Sequence, residues 1–305
     1  MQTAIPESRQ AVVVDEQGQT LSVRRIPVPK PGPGQVLIRM GAAPINPSDL
    51  GGVGLLPRWL LGRRVTCSTP SGGTWAEYLV VPARNCFPLR KSLSLEEGSM
   101  LIVNPLTAVA FFKIAKQGKH RAMINNAAAG ALGQMIRRLG QTKHISIIHI
   151  VRRDEHVELL RSMGAEHVLN SSDTDFTHKL RQLSHQLNAT LILDPVGGEH
   201  TRRLLDLAPG KATALLYGSL SGIKRDLAIQ NAGNPTKHVR GFFMPDWLAT
   251  KSIWHVLGYL NQVQSLAKKE LHTEIQQRFP LTQVQDAIEL YQTNASAGKV
   301  LLIPK

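Results

Sequence analysis

A run of small residues, NNAAAGALGQM at positions 125–135, could do chemistry through its backbone. It lies between an apolar segment (AMI) and a segment of helical character (QMIRRLG). Small side chains let a ligand approach the main chain, and a helix N-terminus offers unpaired N–H groups and a favourable dipole to an anion. The same composition also suits tight packing of a helix on a strand. Taken alone, the segment leaves both interpretations open.

The surrounding sequence favours an anion-binding turn. From about Arg121, short apolar segments alternate with amphipathic segments of helical period, which is typical of βαβ units and a parallel sheet. The small-residue run then lies at the first strand-to-helix turn, where a Rossmann fold binds the pyrophosphate of a dinucleotide. Against the G-x-G-x-x-G fingerprint, the matching positions are Ala128, Gly130 and Gly133, with alanine in place of the first glycine.

The end of the second strand of this sheet indicates which dinucleotide is bound. An NAD site places an acidic residue there, which binds the ribose 2′-hydroxyl. This sequence has IVRRDEH instead, so Arg152 and Arg153 occupy the position. A guanidinium group matches a 2′-phosphate, and the pair therefore predicts NADPH as the cofactor. Ordinary surface charge is the alternative interpretation of the two arginines.

The first hundred residues have a different character from the rest of the chain. Short β segments are interrupted by proline and glycine, as in PVPKPGPGQ at 27–35, and they predict an antiparallel, barrel-like β domain. Near the C-terminus the pattern predicts one long helix over 246–268, a second over 282–292 and a final strand. The predicted fold class is α/β, a doubly wound parallel sheet combined with an antiparallel β domain.

Composition limits the other possibilities. An apolar fraction of 42% is that of a globular protein, and neither a membrane-spanning run nor an export signal is visible. We expect a cytoplasmic protein in which Cys67 and Cys86 are structural thiols. The net charge of +14 is scattered and lacks a nucleic-acid-binding signature, so we do not expect specific nucleic-acid binding. The eleven histidines show no metal-ligand spacing, and we expect no metal site.

A collinear series of motifs resembles the zinc-free medium-chain dehydrogenase/reductases, in the branch of quinone oxidoreductases and enoyl-thioester reductases. The motifs run from one end of the chain to the other: INPSDL (45–50), GTWAEYLVVPA (73–83), NPLTA (104–108), AAAGALG (127–133), LILDPVGGE (191–199), LLYGSLSG (215–222), GFF (241–243) and GKVLL (298–302). The resemblance implies a GroES-like catalytic domain over 1–110, a Rossmann NADP-binding domain over 111–245, and a C-terminal return to the catalytic domain over 246–305. It also implies homodimers through the edge of the Rossmann sheet.

The resemblance also implies roles for individual residues. Those expected at the cofactor are Gly130, Ala131 and Leu132 at the pyrophosphate, Arg152 and Arg153 at the adenosine phosphate, Tyr217, Gly218 and Ser219 along the cleft, and Phe242, Phe243 and Lys299 towards the nicotinamide. Asn46 and Thr107 match the family's positions near nicotinamide and substrate, and are the expected catalytic residues. Asn46 is equally explained as a turn former, because Asn-Pro readily starts a turn.

The sequence departs from this family pattern in one segment. Only GGVGLLPRWLL separates Leu50 from Gly62, where the family normally has some tens of residues over the substrate, and no tyrosine stands there as a proton donor. We expect an incomplete β domain as a result. Two hypotheses remain: a metal-free NADPH-dependent reductase of a small quinone, enone or enoyl thioester, and an NADPH-binding sensor or partner protein that has lost its substrate pocket and its catalysis.

Overall fold

The computed structural model describes residues 5–14, 21–44, 62–69, 73–222, 236–294 and 297–304. The chain forms two compact units. One consists of Met1–Val103 together with His272–Lys305, and the other is the continuous segment Asn104–Leu271.

In the described part of the chain, strands predominate up to Pro88, and both helices and strands follow. The strands are β1 (Ser8–Val14), β2 (Leu21–Pro27), β3 (Gln35–Arg39), β4 (Ala43–Pro44), β5 (Val65–Cys67), β6 (Tyr78–Pro82), β7 (Cys86–Pro88), β8 (Ala122–Asn126), β9 (Ser146–Val151), β10 (His167–Asn170), β11 (Ala189–Asp194), β12 (Thr213–Leu216), β13 (His238–Gly241), β14 (Ile275–Pro280) and β15 (Lys299–Ile303). The helices are α1 (Leu95–Ser99), α2 (Asn104–Gln117), α3 (Ala131–Lys143), α4 (Asp154–Ser162), α5 (Phe176–Gln186), α6 (Glu199–Leu207), α7 (Met244–Ala249), α8 (Ile253–Leu266) and α9 (Val284–Thr293).

The second unit is built on a parallel six-stranded sheet in the order β10-β9-β8-β11-β12-β13. Side chains alternate across it, so Ile124 of β8 faces a core with Phe176 and Leu180 of α5. On the opposite face, Val151 of β9 packs with Val157 of α4. Helices on both faces explain why the central strands are almost wholly buried, and the predicted doubly wound parallel sheet is confirmed.

The first unit is mainly antiparallel, as the sequence predicts. β1 pairs with β2, β3 with β6, and β5 with β7, each in antiparallel register. The C-terminal part of the chain contributes β14 and β15, which pair in parallel, while β15 also pairs antiparallel with β4. The fold therefore combines an antiparallel β unit with a Rossmann-type unit.

The unit boundaries lie elsewhere than the expected 110/111 and 245/246. α2 is one continuous buried helix, and a boundary at residue 110 would divide it. α8 belongs to the second unit: its Tyr259 stacks on Trp247 of α7 with ring centroids 5.1 Å apart, and the Lys113 amine of α2 lies 5.6 Å from the same ring. The C-terminal return therefore begins at His272.

The prediction of one helix over 246–268 is wrong, because two helices occupy this range. α7 ends where the Thr250 hydroxyl donates to the carbonyl of Trp247 at 2.8 Å. Ser252 then adopts an extended backbone as the N-cap of α8, and its hydroxyl contacts His255 Nδ1 at 2.8 Å. The hydroxyl residues of this segment thus compete for the helical hydrogen bonds and interrupt the helix. The predicted helix over 282–292 corresponds to α9.

A buried polar cluster lies where α3 packs on the sheet. Asn125 donates through Nδ2 to the carbonyl of Gly133 at 3.1 Å and lies 3.2 Å from Nδ1 of His149. Burial, together with the charges of Arg137 and His167, lowers the pKa of His149 to about 4. The imidazole is therefore neutral in the folded protein at pH 7, with Nδ1 free to accept from the amide.

This shift makes the stability of the protein depend on pH. The pKa of His149 is about 4 when folded against a usual 6.5, so the unfolded chain binds the proton more readily between these values. The free energy of unfolding should therefore fall as pH decreases from about 6.5 to about 4, by on the order of 3 kcal/mol. We predict that His149→Gln flattens this part of the stability profile, measured by urea unfolding at a series of pH values. The control is His178→Gln on the exposed face of α5; equal acid slopes in the two variants would contradict the assignment.

Candidate functional site

The candidate site lies at the carboxyl edge of the six-stranded sheet, where the strand order reverses. β8 and β11 are neighbours there, and their chains leave the sheet in opposite directions along the strand order. In a doubly wound sheet this reversal opens a crevice that binds ligands. The turns over 127–130 and 195–198 follow these two strands and border the crevice.

The turn after β8 has a defined backbone conformation. Ala127 adopts a left-handed conformation with φ of 53°. Its N–H donates to Asn126 Oδ1 at 2.9 Å, and its carbonyl accepts from Gly130 N at 3.2 Å. The next N–H, of Ala128, donates to the carbonyl of Ile150 at 3.0 Å and so prolongs the pairing of β8 with β9. The left-handed residue that redirects the chain is thus one position before the missing first glycine.

Gly130 and Gly133, the two glycines of the fingerprint, differ in whether the surrounding structure requires a glycine. A Cβ added to Gly133 would lie 2.4 Å from the carbonyl oxygen of Ala128, so this glycine permits tight packing of α3 on the turn. At Gly130 an added Cβ would meet nothing closer than 3.6 Å, and φ is −70°, which any residue adopts. Neither packing nor backbone conformation within the described chain requires glycine at 130. Tight packing therefore accounts for Gly133, and the anion-binding interpretation stays a prediction at Gly130.

The start of α3 faces outward from this turn. Gly130 is its N-cap residue, and no described side chain caps the helix. Ala131 and Leu132 occupy the first turn and are half-buried. Ala128, by contrast, is fully buried in an apolar cluster with Val151 and other residues, so its methyl group contributes packing.

The sequence reasoning missed a buried carboxyl group that joins the strand ends around the crevice. Asp194 ends β11 and is fully buried. Its carboxylate accepts from Asn126 Nδ2 at 2.8 Å, Val196 N at 2.9 Å, Gly197 N at 3.3 Å and Thr201 Oγ1 at 2.5 Å. The Asp in LILDPVGGE, directly after three apolar residues of a buried strand, was the available signal, because a buried acid needs several donors.

The arginine pair lies at the end of β9, as predicted, and both residues are exposed. Arg153 is the N-cap residue of α4, and its Nε lies 3.1 Å from Glu155 Oε1 while its Nη2 lies 3.2 Å from His156 Nε2. Within the described part of the chain, the Arg152 guanidinium makes no hydrogen bond or ion pair. Its backbone carbonyl accepts from the Ser172 hydroxyl at 3.1 Å, which fixes the turn and leaves the side chain available.

The residues expected along the cleft follow β12. Tyr217 donates from its backbone N to the carbonyl of Asp194 at 3.0 Å, and its ring lies 5.1 Å from that of Phe111. Burial, with a contribution from Asp194, raises the pKa of the Tyr217 phenol. A Cβ on Gly218 would lie 2.5 Å from the carbonyl oxygen of Pro195, so this glycine is required by packing. Ser219 is exposed.

The residues expected towards the nicotinamide fall into three environments. Phe242 is buried, and its ring meets Phe111 edge-on at 4.9 Å, whereas Phe243 is 38% exposed. Lys299 lies on β15 in the other unit, where its amine is buried 5.5 Å from the ring centroid of Tyr291. Thr107 is buried in the first turns of α2. Asn46, like the segment between Leu50 and Gly62, lies outside the described residues.

Other features of the described residues bear on the remaining expectations. A cavity of about 400 Å³ lies in the first unit, and none of the expected cofactor residues lines it. In the described ranges, no group of three or more His, Cys, Asp or Glu side chains could hold a metal ion. The helices in those ranges are too short or too polar to cross a bilayer.

The fold is a two-unit α/β architecture with a Rossmann-type sheet, and known proteins with similar sequences and structures agree with it. A family profile described as zinc-binding dehydrogenase matches residues 163–302. The mitochondrial enoyl-[acyl-carrier-protein] reductase of Arabidopsis thaliana is 25% identical over 312 residues, covering 90% of this chain and 83% of the relative. The synaptic vesicle membrane protein VAT-1 homolog of Rattus norvegicus is 25% identical over 324 residues, covering 90% and 78%. A solved structure from Mesorhizobium loti, assigned as an NADPH:quinone reductase, is 29% identical with a TM-score of 0.87, covering 99% of this chain and 100% of that one.

Residues 163–302 thus match the zinc-binding dehydrogenase family, and the similarity to reductases over 90% or more of the chain agrees with the resemblance that its motifs indicate. Enoyl reductases and quinone oxidoreductases are among its relatives, and they support an oxidoreductase of this family.

The contrast between the two glycines gives a stability prediction. Gly133→Ala should lower the free energy of unfolding by about 2 kcal/mol or more, because its methyl group overlaps the Ala128 carbonyl. Gly130→Ala should cost less than about 1 kcal/mol, the usual difference between glycine and alanine at an N-cap. Urea unfolding of both variants checks this. Equal losses would show that Gly130 is also required for folding.

Proposed function

We propose that the protein is an NADPH-dependent oxidoreductase that transfers a hydride to a small quinone, enone or enoyl-thioester type substrate without a metal ion. The open position at Gly130 carries this proposal. It stands at the start of α3 and at the reversal of the strand order, and nothing within the described chain requires a glycine there. A ligand that approaches the backbone would require one.

The turn after β8 fits a pyrophosphate in three respects. The N-terminus of α3 carries no described side-chain cap, so its first N–H groups are available to an anion. The space that a Gly130 side chain would fill is open. The Asn126–Asp194 hydrogen bond of 2.8 Å holds the turn beside its neighbour after β11. Gly130, Ala131 and Leu132 would hold the diphosphate there.

The choice of NADPH over NADH rests on Arg152. Its guanidinium is exposed and unengaged within the described chain, whereas Arg153 already contacts Glu155. A 2′-phosphate offers charge-assisted, bidentate hydrogen bonds to such a group. Arg153 would add charge while remaining partly committed to the first turn of α4. The position that an NAD site gives to an acidic residue is thus basic here.

At the end of the crevice where the nicotinamide is expected, the chain would shape the pocket and exclude water from it. Bound NADPH supplies the hydride. Phe111, Tyr217 and Phe242 form a packed aromatic group at the ends of β12 and β13, which keeps solvent from this edge of the crevice. The raised pKa of Tyr217 keeps its phenol protonated at neutral pH, so it does not act as a base. Thr107 would place a hydroxyl from α2 near the reacting groups.

The substrate class follows from the chemistry that the relatives' names share. Quinones and enoyl thioesters both present an electron-poor double bond conjugated to a carbonyl group, which accepts a hydride directly. Such an acceptor needs positioning and a shielded pocket more than a Lewis acid. The metal-free assignment follows the resemblance to the zinc-free branch. We also propose a cytoplasmic location and a homodimer through an edge of the Rossmann sheet, whose edge strands among the described residues are β10 and β13.

One observation favours a second function, an NADPH-binding sensor or partner protein with weakened catalysis. Only eleven residues stand between Leu50 and Gly62, and no tyrosine is among them. A missing general acid typically costs about 10²–10⁴-fold in rate. NADPH consumption with a panel of quinones and enones separates the two functions, since a sensor would bind the cofactor without oxidising it.

Gly130→Val tests whether the turn binds a dinucleotide. The branched side chain should fill the diphosphate space and weaken NADPH and NADH at least a hundredfold, with thermal stability close to wild type. The control is Gly210→Val, because a Cβ there meets nothing within 4 Å. Calorimetric titration measures both cofactors. Unchanged affinity in Gly130→Val would show that the turn serves packing alone.

Arg152→Ala combined with Arg153→Ala tests cofactor selectivity. Loss of charge-assisted hydrogen bonds to the 2′-phosphate should weaken NADPH about 10–100-fold and leave NADH nearly unchanged. Arg181→Ala with Arg202→Ala removes the same charge from exposed positions on α5 and α6, and should change neither affinity. If NADPH and NADH weaken together, the pair does not recognise the phosphate.

A further inference from the structure

The two cysteines, far apart in sequence, face each other across a pair of strands. Cys67 ends β5 and Cys86 begins β7, and the antiparallel register pairs them directly. The hydrogen bonds fix which kind of pair this is. Ser68 N donates to the carbonyl of Asn85 at 3.1 Å, and Leu89 N donates to that of Arg64 at 2.9 Å. Because hydrogen-bonded and non-hydrogen-bonded pairs alternate, Cys67 and Cys86 form a non-hydrogen-bonded pair.

In such a pair the two side chains lie on the same face of the sheet and close together. The Cα atoms are typically about 4.5 Å apart, which lies within the range of about 4.4–6.8 Å found for disulfides. The two positions can therefore be joined by a disulfide without rearrangement of the strands.

We propose that Cys67 and Cys86 form a reversible intramolecular disulfide, a redox-sensitive modification site in the β unit that is independent of the dinucleotide crevice. The oxidant is a small-molecule disulfide of the glutathione type. The Cys67 thiolate attacks one of its sulfur atoms, forms a mixed disulfide and releases one small thiol. The Cys86 thiolate then attacks the Cys67 sulfur and releases the second small thiol. Two protein thiols and one small disulfide thus become one protein disulfide and two small thiols.

The surroundings allow access to the pair and set its rate. Both cysteines line the cavity of about 400 Å³ in the first unit, and Cys67 is only half-buried. Burial raises the pKa of Cys67 to about 11, and burial together with the neighbouring Cys67 raises that of Cys86 to about 12. Both thiols are therefore protonated at neutral pH, so the first attack is slow. The second is favoured because the partner thiol is held beside the mixed disulfide.

Oxidation would fix two strands that otherwise share few hydrogen bonds. β5 and β7 are three residues long and, among the strands of the described ranges, pair only with each other. A covalent link between them closes the segment 68–85 into a loop in the unfolded chain as well, which reduces the entropy gained on unfolding. The oxidised protein should therefore unfold at a higher temperature, and a reducing agent should reverse the shift.

The test is equilibration of the full chain in buffers of increasing ratio of glutathione disulfide to glutathione, followed by thiol alkylation and intact mass measurement. Wild type should lose both alkylatable thiols together and two hydrogen atoms in mass, without a retained glutathione. Cys67→Ser and Cys86→Ser should each carry a mixed disulfide instead, and only at a ratio at least tenfold higher. Thermal unfolding of oxidised and reduced wild type gives the second readout.

A register control distinguishes pairing from mere proximity of two thiols. Thr66 is the neighbour of Cys67 on β5 and points to the opposite face of the pair of strands. The double change Thr66→Cys with Cys67→Ser keeps two thiols but should not form the intramolecular bond. The proposal is overturned if this variant oxidises like wild type, if wild type retains both thiols at every ratio, or if its disulfide links two chains.

Discussion

The hydrogen bonds to the buried Asp194 carboxylate are the constraint on which the candidate site depends. A carboxylate removed from water is costly unless its lone pairs are filled, and here four donors fill them. Two are backbone N–H groups of the turn after β11, one is the hydroxyl of Thr201 in α6, and one is the amide of Asn126 at the end of β8. The tyrosine after β12 is bound to the same residue through its backbone. One residue thus joins the ends of three adjacent strands, β8 and β11 through its side chain and β12 through its backbone carbonyl.

The crevice is rigid because its walls are made of backbone. Gly133 lets α3 approach the Ala128 carbonyl, and Gly218 lets the segment after β12 approach Pro195. Both approaches leave no room for a methyl group, so the helix and the turns are held at fixed distances. Gly130 differs because its surroundings are open. Glycine is therefore used for two opposite purposes within four residues, and only the structure separates them.

The sequence predicts what local patterns determine, and fails where long-range contacts decide. Alternation of apolar strands and amphipathic helices correctly predicted the parallel sheet, because its central strands are buried on both faces. The helical period continues across Thr250 and Ser252, and it therefore predicts one helix in place of α7 and α8. The hydroxyl groups of these two residues interrupt the helix. The pairing of Cys67 with Cys86 carries no sequence signal, since strand register sets it. The roles of Asn46 and of the residues around Leu50 stay predictions.

The alanine that replaces the first fingerprint glycine can be understood through the same buried carboxylate. The turn still needs one left-handed residue, and Ala127 takes that conformation although a Cβ makes it costly by about 1–2 kcal/mol. Asn126 offsets part of this cost, because its side-chain oxygen accepts from the Ala127 N–H while its amide donates to Asp194. Ala128 is then free to bury its methyl group against Val151. The strained residue is thus one position before the missing first glycine and three positions before Gly130, where a ligand would approach.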